Sequence, residues 1–247
     1  MKLTVIGCSG SMPGPDSPAS SYLVEQDGFR LLLDLGNGAF GALQRVMDPC
    51  AVDAVYVSHL HADHCIDFTA YLVALRYGPN SREGRIPVIG PHGVRARLEA
   101  AYDPLSRDVG MHQLFDFSLP VSGQLGPFEV SYAAMNHPVE TRAIRLQAGG
   151  KSLVYSADTG ESPELVRLAT RADVLLCEAS FGPDERYVPD LHLTGKQAGE
   201  HAARAGVDRL IVTHVPPWGQ PQRQCDEAAA VFPGTVEAAG SGAVYEI

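Results

Sequence analysis

No apolar run in this sequence approaches the roughly 18 residues that a membrane-crossing helix needs. Cysteine is scarce and scattered. The five thiols (Cys8, Cys50, Cys65, Cys177 and Cys225) are odd in number and contain no C-x-x-C pair. That argues against a disulfide framework or a structural zinc knuckle, and for a reducing cytoplasm. Basic residues are also short: 19 Lys and Arg stand against 29 Asp and Glu, a formal net charge of −10. A protein that grips a long polyanion usually shows a basic stripe. The nearest approach to one is Arg76, Arg82, Arg85, Arg95 and Arg97, broken up by proline and glycine. Extended nucleic acid is therefore disfavoured as a partner, whereas a small anion is not, since bound metal ions can supply local positive charge. Linkers, low-complexity tracts and charge blocks are missing too, so residues 1–247 read as one domain. The opening Met1–Gly7 carries too short an apolar run for a leader peptide and reads as a first strand.

What is present is an alternation of short apolar runs, turn residues and helical stretches, the pattern of a layered α/β (α+β) fold. Strands are expected at Leu3–Ile6, Ser21–Glu25, Phe29–Asp34, Ala54–Val57, Pro87–Ile89, Phe128–Ala134, Arg142–Gln147, Ser152–Tyr155, Val174–Cys177 and Leu210–Thr213. Helices are expected at Ala39–Val46, Asp67–Arg76, Gly93–Ala101, Pro163–Thr170, Gly195–Ala205 and Cys225–Val231. Gln26-Asp27-Gly28 and Gly149-Gly150 read as hairpin turns. Ser162 before Pro163 reads as an N-cap, and Thr194 with Gln197 as a capping box. Hairpins early and late, with helices between, suggest two sheets face to face and flanked by helices. Asp103–Ser118 lacks a clear period and reads as a long connection or a lid.

The stretch that organises the chain is Ser58-His59-Leu60-His61-Ala62-Asp63-His64, where four potential metal ligands fall within six residues. It lies between an apolar strand and a helix, where α/β proteins place their chemistry. Imidazole with carboxylate favours zinc, iron or manganese over calcium or magnesium. The bland alternative is a polar, helix-capping loop, but packing alone calls for no such density of imidazoles. Four ligands on one loop do not complete a two-metal site. Three further ligand-type residues stand at the mouths of expected strands: His137 after Phe128–Ala134, Asp158 after Ser152–Tyr155 and His214 after Leu210–Thr213.

With these residues the sequence resembles the metallo-β-lactamase superfamily, over nearly the whole chain from Gly7-Cys8-Ser9-Gly10 to His214. The resemblance implies a four-layer αββα sandwich and two divalent metal ions: zinc, with manganese or iron as alternatives. It implies that His59, His61 and His137 hold one ion, that Asp63, His64 and His214 hold the other, and that Asp158 bridges them. Two such ions generate hydroxide from water near neutral pH and polarise the scissile group. Asp158 stands where true metallo-β-lactamases generally carry a cysteine, which argues against antibiotic hydrolysis. Asp34 is a candidate partner for the far nitrogen of a ligating imidazole, or else a plain strand-end turn residue.

Two further features look like the ribonuclease Z branch: Cys177-Glu178-Ala179-Ser180 and His192-Leu193-Thr194. There the glutamate and histidine pair, and the histidine faces the phosphate. A carboxylate raises an imidazole's pKa and fixes its tautomer, so that the ring can stabilise phosphoryl charge or protonate a leaving oxygen. The long Gly/Pro-rich arm that clamps tRNA in that branch is absent between His137 and Asp158. This pattern, with Gly14–Ser20, is similar to an armless actinobacterial group linked to cyclic nucleotide phosphodiesterase activity. The expectation is a metal-dependent hydrolase, with Asp63, His192 and Glu178 catalytic, acting on a small phosphodiester such as a cyclic nucleotide. A homodimer is implied and no membrane. A tRNA 3′-endonuclease, a lactone, ester or thioester hydrolase, and a di-iron redox or non-catalytic metal module are the alternatives. His92, His112 and His201 read as surface or packing residues. Gly7–Ser11 reads equally as a phosphate cradle or a tight turn. Trp218 reads as a stacking platform or a cover for the core's edge.

Overall fold

In a computed structural model describing residues 1–80, 82–105, 108–182 and 188–247, the chain forms two seven-stranded sheets and seven α-helices. The first sheet has strand order β14-β1-β2-β3-β4-β5-β6. Its members are β1 (Lys2–Gly7), β2 (Ser21–Gln26), β3 (Phe29–Leu33), β4 (Ala54–Tyr56), β5 (Ile86–Ile89), β6 (Phe115–Ser118) and β14 (Val244–Glu246). The second runs β13-β12-β11-β10-β9-β8-β7. It is built from β7 (Gly123–Leu125), β8 (Phe128–Ala134), β9 (Arg142–Ala148), β10 (Lys151–Tyr155), β11 (Val174–Glu178), β12 (Arg209–Thr213) and β13 (Thr235–Ala238).

Alternation along the strands sorts the apolar residues into separate layers. Leu31 and Leu33 of β3 face inward with Val174 and Leu176 of β11 and Ile211 of β12, joining the two sheets face to face. Leu32, between them, points outward against Phe40, Leu43, Phe68 and Leu72. These belong to α1 (Ala39–Val46) and α3 (Phe68–Tyr77), which with α4 (Val94–Tyr102) cover the first sheet. Leu175 and Leu210 point the other way, against Leu165, Ala198 and Ala228. Those come from α5 (Pro163–Leu168), α6 (Gly195–Ala205) and α7 (Pro221–Ala229). The result is the αββα sandwich. Each fully buried leucine contributes about 1.5–3 kcal/mol relative to an exposed one.

β3 through β6 are parallel, as are β10 through β13. Helical crossovers join most of these parallel neighbours. The carboxyl ends of the parallel strands in each sheet form the edge where α/β folds bind ligands. Part of Asp103–Ser118, expected as a long connection or a lid, is a strand instead. Phe115–Ser118 pairs with β5 as the last strand of its sheet, after a single 3-10 turn at Met111–Gln113, and residues 106–107 lie outside the described residues.

Candidate metal centre

Strand ends of both sheets deliver the ligand-type side chains. After β4 the chain runs through Ser58 and His59 into a one-turn helix, α2 (Ala62–Cys65), with His61 as its N-cap. α2 packs directly on the end of β3. A Cβ on Gly36 would lie 1.9 Å from the Asp63 carbonyl oxygen, so only glycine allows this approach. Asp34, Ala157 and His214, each just past a strand end, have φ of 58°, 52° and 58°. Such left-handed conformations cost about 1–3 kcal/mol each and persist where the surroundings enforce them.

Two groups of donors meet at this edge. His59 Nε2 and His137 Nε2 each lie 3.1 Å from His61 Nδ1, and Asp158 Oδ2 is 3.6 Å from His59 Nε2. Beside them, His214 Nε2 is 3.2 Å from both His64 Nε2 and Asp63 Oδ2, and Asp158 Oδ1 is 3.3 Å from His64 Nε2 and 3.4 Å from His214 Nε2. Ligands about 2.0–2.1 Å from a tetrahedral ion stand roughly 3.3–3.4 Å from one another. The second group has that spacing, and the first brackets it, from 3.1 Å at His61 to 4.0 Å between His137 Nε2 and Asp158 Oδ2. Asp158 Oδ1 is buried without a hydrogen-bond partner, although it belongs to the most crowded part of the cluster. The donors therefore fit two divalent cations, with Asp158 contributing one oxygen to each group.

Tautomers point the same way. Asp34 is fully buried and accepts from four groups: Ser58 N at 2.7 Å, Ser58 Oγ at 2.7 Å, Tyr155 OH at 2.8 Å and His64 Nδ1 at 2.7 Å. Because the Ser58 hydroxyl proton goes to Asp34, its oxygen can only accept from His59 Nδ1, 3.0 Å away. His137 Nδ1 donates to the Leu191 carbonyl at 2.9 Å. With these far nitrogens protonated, the Nε2 atoms of His59, His64 and His137 turn inward.

Charge in the cluster follows. Burial, and then His64 beside it, push the His59 imidazole well below its ordinary pKa. Burial opposes charge on His64 as well, but Asp158 and Asp34 outweigh it and raise that ring well above the ordinary value. The Asp158 carboxyl is held well below the usual range despite burial, by His214 and His64. The carboxylates of Asp158 and Asp34 thus favour positive charge beside His64.

Glu178, at the end of β11, is buried and accepts from three main-chain amides: Thr159 at 2.7 Å, Ser180 at 3.1 Å and Leu193 at 3.3 Å. Thus fixed, its Oε1 takes His192 Nδ1 at 2.9 Å. Burial works against charge on His192, yet Glu178 lifts its pKa to about 9. The His192 ring sits 5.5 Å from the ring of His137 and 5.4 Å from that of His214.

Residues 29–215 match the family profile described as Beta-lactamase superfamily domain. The chain belongs to the metallo-β-lactamase superfamily. An uncharacterized protein of Mycobacterium leprae is 44% identical over 253 residues, covering 100% of this chain and 89% of that protein. The probable metallo-hydrolase YhfI of Bacillus subtilis is 30% identical over 249 residues, covering all of both chains. Its crystal structure, entitled a metallo-beta-lactamase fold protein, has a TM-score of 0.88 at 29% identity and covers 100% of this chain and 99% of that one. A ribonuclease Z of Myxococcus xanthus is 27% identical over 302 residues, covering 100% of this chain and 98% of that protein. That alignment is longer than the 247 residues of this superfamily member, so the relative carries segments with no counterpart in it.

Every ligand-type residue singled out in the sequence comes to this one edge, as does the Glu178–His192 pair. Asp34 is resolved in favour of orienting an imidazole. Ser58 and Tyr155 were missed; Ser58 at least adjoins the histidine motif, whereas Tyr155 reads only as a residue of an apolar strand. Ser9 spends its hydroxyl inside its own loop, donating to the Met12 carbonyl at 2.7 Å. Trp218 is 62% exposed. His92 pairs with Glu140 on the surface, whereas His201 is a buried packing residue. His112 does have carboxylate neighbours, Glu99 and Asp108, but Arg95 already lies among them, 2.9 Å from Glu99 and 3.3 Å from His112.

Proposed function

We propose that this chain is a dinuclear metal-dependent phosphodiesterase acting on a small, cyclic nucleotide-like substrate. The observation that carries the reading is the Glu178–His192 pair set against the two donor groups. His59, His61 and His137 would hold one ion, Asp63, His64 and His214 the other, and Asp158 both; zinc is the first choice, with manganese and iron as alternatives. When bound, the ions would lower the pKa of a water and neutralise the developing charge on the phosphoryl oxygens. Four positive charges against the carboxylates of Asp63 and Asp158 would leave the cleft cationic and suited to an anionic diester. Asp63 takes the proton released by the attacking water. His192, kept protonated by Glu178, hydrogen-bonds a phosphoryl oxygen and gives its proton to the leaving oxygen.

A long nucleic acid is disfavoured because three arginines of the 76–97 stretch are spent on main-chain carbonyls, while Arg85 and Arg95 already face Asp116 and Glu99. Arg76 donates to the Val109 carbonyl, Arg82 to those of Cys50 and Val52, and Arg97 to that of Leu60. The tRNA 3′-endonuclease remains the second reading, on the strength of the ribonuclease Z relative. The proposal carries with it a reducing cytoplasm, which the five free thiols fit, and a homodimer, to be checked by mass in solution.

The test is turnover of bis-p-nitrophenyl phosphate and cyclic AMP by stripped and metal-reloaded protein, with precursor tRNA alongside. Metal-dependent diester cleavage is expected, with His192→Ala lowering kcat roughly 10²–10⁴-fold and leaving metal content intact. Lactone or thioester turnover that ignores His192→Ala, with no diester cleaved, would overturn the reading.

A further inference from the structure

The loop between β1 and β2 crosses the metal centre, and its hydrogen-bonded amides mostly go to oxygen, that of Cys8 to Ser17 Oγ at 3.0 Å. Ser9 N donates to the Pro18 carbonyl at 3.0 Å, Gly10 N to that of Val215 at 3.1 Å, and Met12 N to that of Gly10 at 2.6 Å. Gly14 N donates to the Ser17 carbonyl at 2.8 Å. Ser11 N differs. Its partner is no carbonyl but His214 Nε2, at 3.5 Å, the outer limit of a hydrogen bond. That nitrogen is also the one converging with Asp63, His64 and Asp158. A ring nitrogen whose lone pair is committed to a cation cannot accept a hydrogen bond. With the site loaded, the Ser11 N–H is therefore left without an acceptor at the edge of the cluster, on a solvent-exposed residue.

The placement is rigidly enforced. Ser11 is held at φ 61°, in the left-handed region that a non-glycine residue rarely occupies. Gly10 lies so close to His214 that a Cβ there would be 2.2 Å from its carbonyl oxygen, so the loop is pinned on the ligand's own backbone. Ser9 Oγ, bonded to the Met12 carbonyl, closes the turn from the other side.

We infer that the Ser11 main-chain N–H is an anion-recognition donor, binding a non-bridging oxygen of a phosphate or phosphodiester at the metal centre. The inference rests on the phosphodiester reading above for its substrate class. Ser11 acts through its backbone, which is why no side-chain motif marks it. A fixed amide aimed where charge develops needs no reorganisation during reaction.

The experiment uses zinc-loaded, 15N-labelled protein titrated with inorganic phosphate. The Ser11 amide proton should move downfield and saturate at the concentration where phosphate inhibits diester turnover, while the amide of Gly28, in the distant β2–β3 turn, stays put. Replacing Ser11 by its α-hydroxy acid, which swaps the amide for an ester and deletes only this N–H, should weaken phosphate binding roughly tenfold or more. It should also lower kcat by roughly 10²–10³-fold. A Ser11 amide that ignores saturating phosphate overturns the inference even if diesters are cleaved. A Ser11 shift in protein that cleaves no diester upholds anion recognition and removes only the proposed substrate. Should the ester variant not fold, the titration of the unaltered chain still decides.

Discussion

Asp34 reaches no solvent, yet it touches both donor groups of the candidate metal centre. It orients His64 directly and His59 through the Ser58 hydroxyl. A carboxylate accepts from all its partners at once; an amide of the same shape would turn donors toward donors. Asp34→Asn should therefore weaken metal binding roughly 10–100-fold, measured by competition with a chromophoric chelator. Unchanged affinity would mean the imidazoles hold their tautomers unaided. His201 gives a prediction of the opposite kind. Its Nδ1 donates to the Gln197 carbonyl and its Nε2 accepts from Ser162 N, so it is folded neutral, and burial pushes its pKa down. The unfolded chain takes up a proton near the ordinary value of about 6.5 and the folded one does not. The stability this ring contributes is complete above that pH and is lost as pH falls below it. The melting temperature of the wild type minus that of His201→Gln should thus decline from pH 7.5 to 5.5. The metal ligands titrate in both proteins and cancel; a flat difference would show that His201 keeps its ordinary pKa. At this scale the convergence of the ligand-type residues was legible because metal chemistry needs a few rare residue types at strand ends. Tyr155 was not, because a buried tyrosine in Leu153-Val154-Tyr155 satisfies the strand pattern without its hydroxyl.

Among the elements, α6 joins stability to the site. Thr194 accepts from Gln197 N at 3.2 Å while the Gln197 side chain takes Thr194 N at 2.9 Å, a complete capping box, and His192 lies just before it. Ser162 caps α5 by the simpler bond to Leu165 N at 3.3 Å. Thr194→Ala and Ser162→Ala should each cost about 0.5–2 kcal/mol in urea unfolding. Only Thr194→Ala should also lower diester turnover at temperatures where both proteins are fully folded, because it loosens the segment that carries His192. Equal turnover would detach His192 from its helix. Both caps were readable in the sequence, as were the two hairpins. Asp27 and Gly28 have φ of 50° and 82°, and Gly149 and Gly150 have 58° and 74°, the pair of left-handed residues that a tight hairpin requires. The unread elements are short or peripheral. β7 and β14 have three residues each, β6 and β13 four, too few to show a period, and none has more than one buried residue. α2 is a four-residue turn whose sequence is dominated by ligands. α7 begins at Pro221, earlier than the expected Cys225, because proline suits the first helical position.

Over the whole molecule, the donors divide between the two sheets. His59, His61, Asp63 and His64 follow β4, while His137, Asp158 and His214 follow β8, β10 and β12. Neither metal group is complete on one sheet, so each ion would staple the sandwich across its open edge. The same edge concentrates the buried carboxylates of Asp34, Asp63, Asp158 and Glu178, whose burial is costly without compensating charge. Ions that bind only the folded chain stabilise it by mass action: about 2.7 kcal/mol at 100 times Kd and about 4.1 kcal/mol at 1,000 times. For a chain of this size that is a rise in melting temperature of roughly 5–15 °C. Zinc should produce such a rise in one cooperative transition if residues 1–247 unfold as a unit, and excess chelator should reverse it. Where the ligands come from makes the test sharper. His214→Ala removes a donor of the second sheet and leaves the 59–64 motif whole. If the ions bridge the sheets, this variant should lose much of the zinc-induced rise, read against its own metal-free melting temperature, which falls because Asp63 and Asp158 lose a buried partner. A full rise in His214→Ala would instead mean that the motif after β4 binds zinc by itself and that the second sheet merely lies beside it.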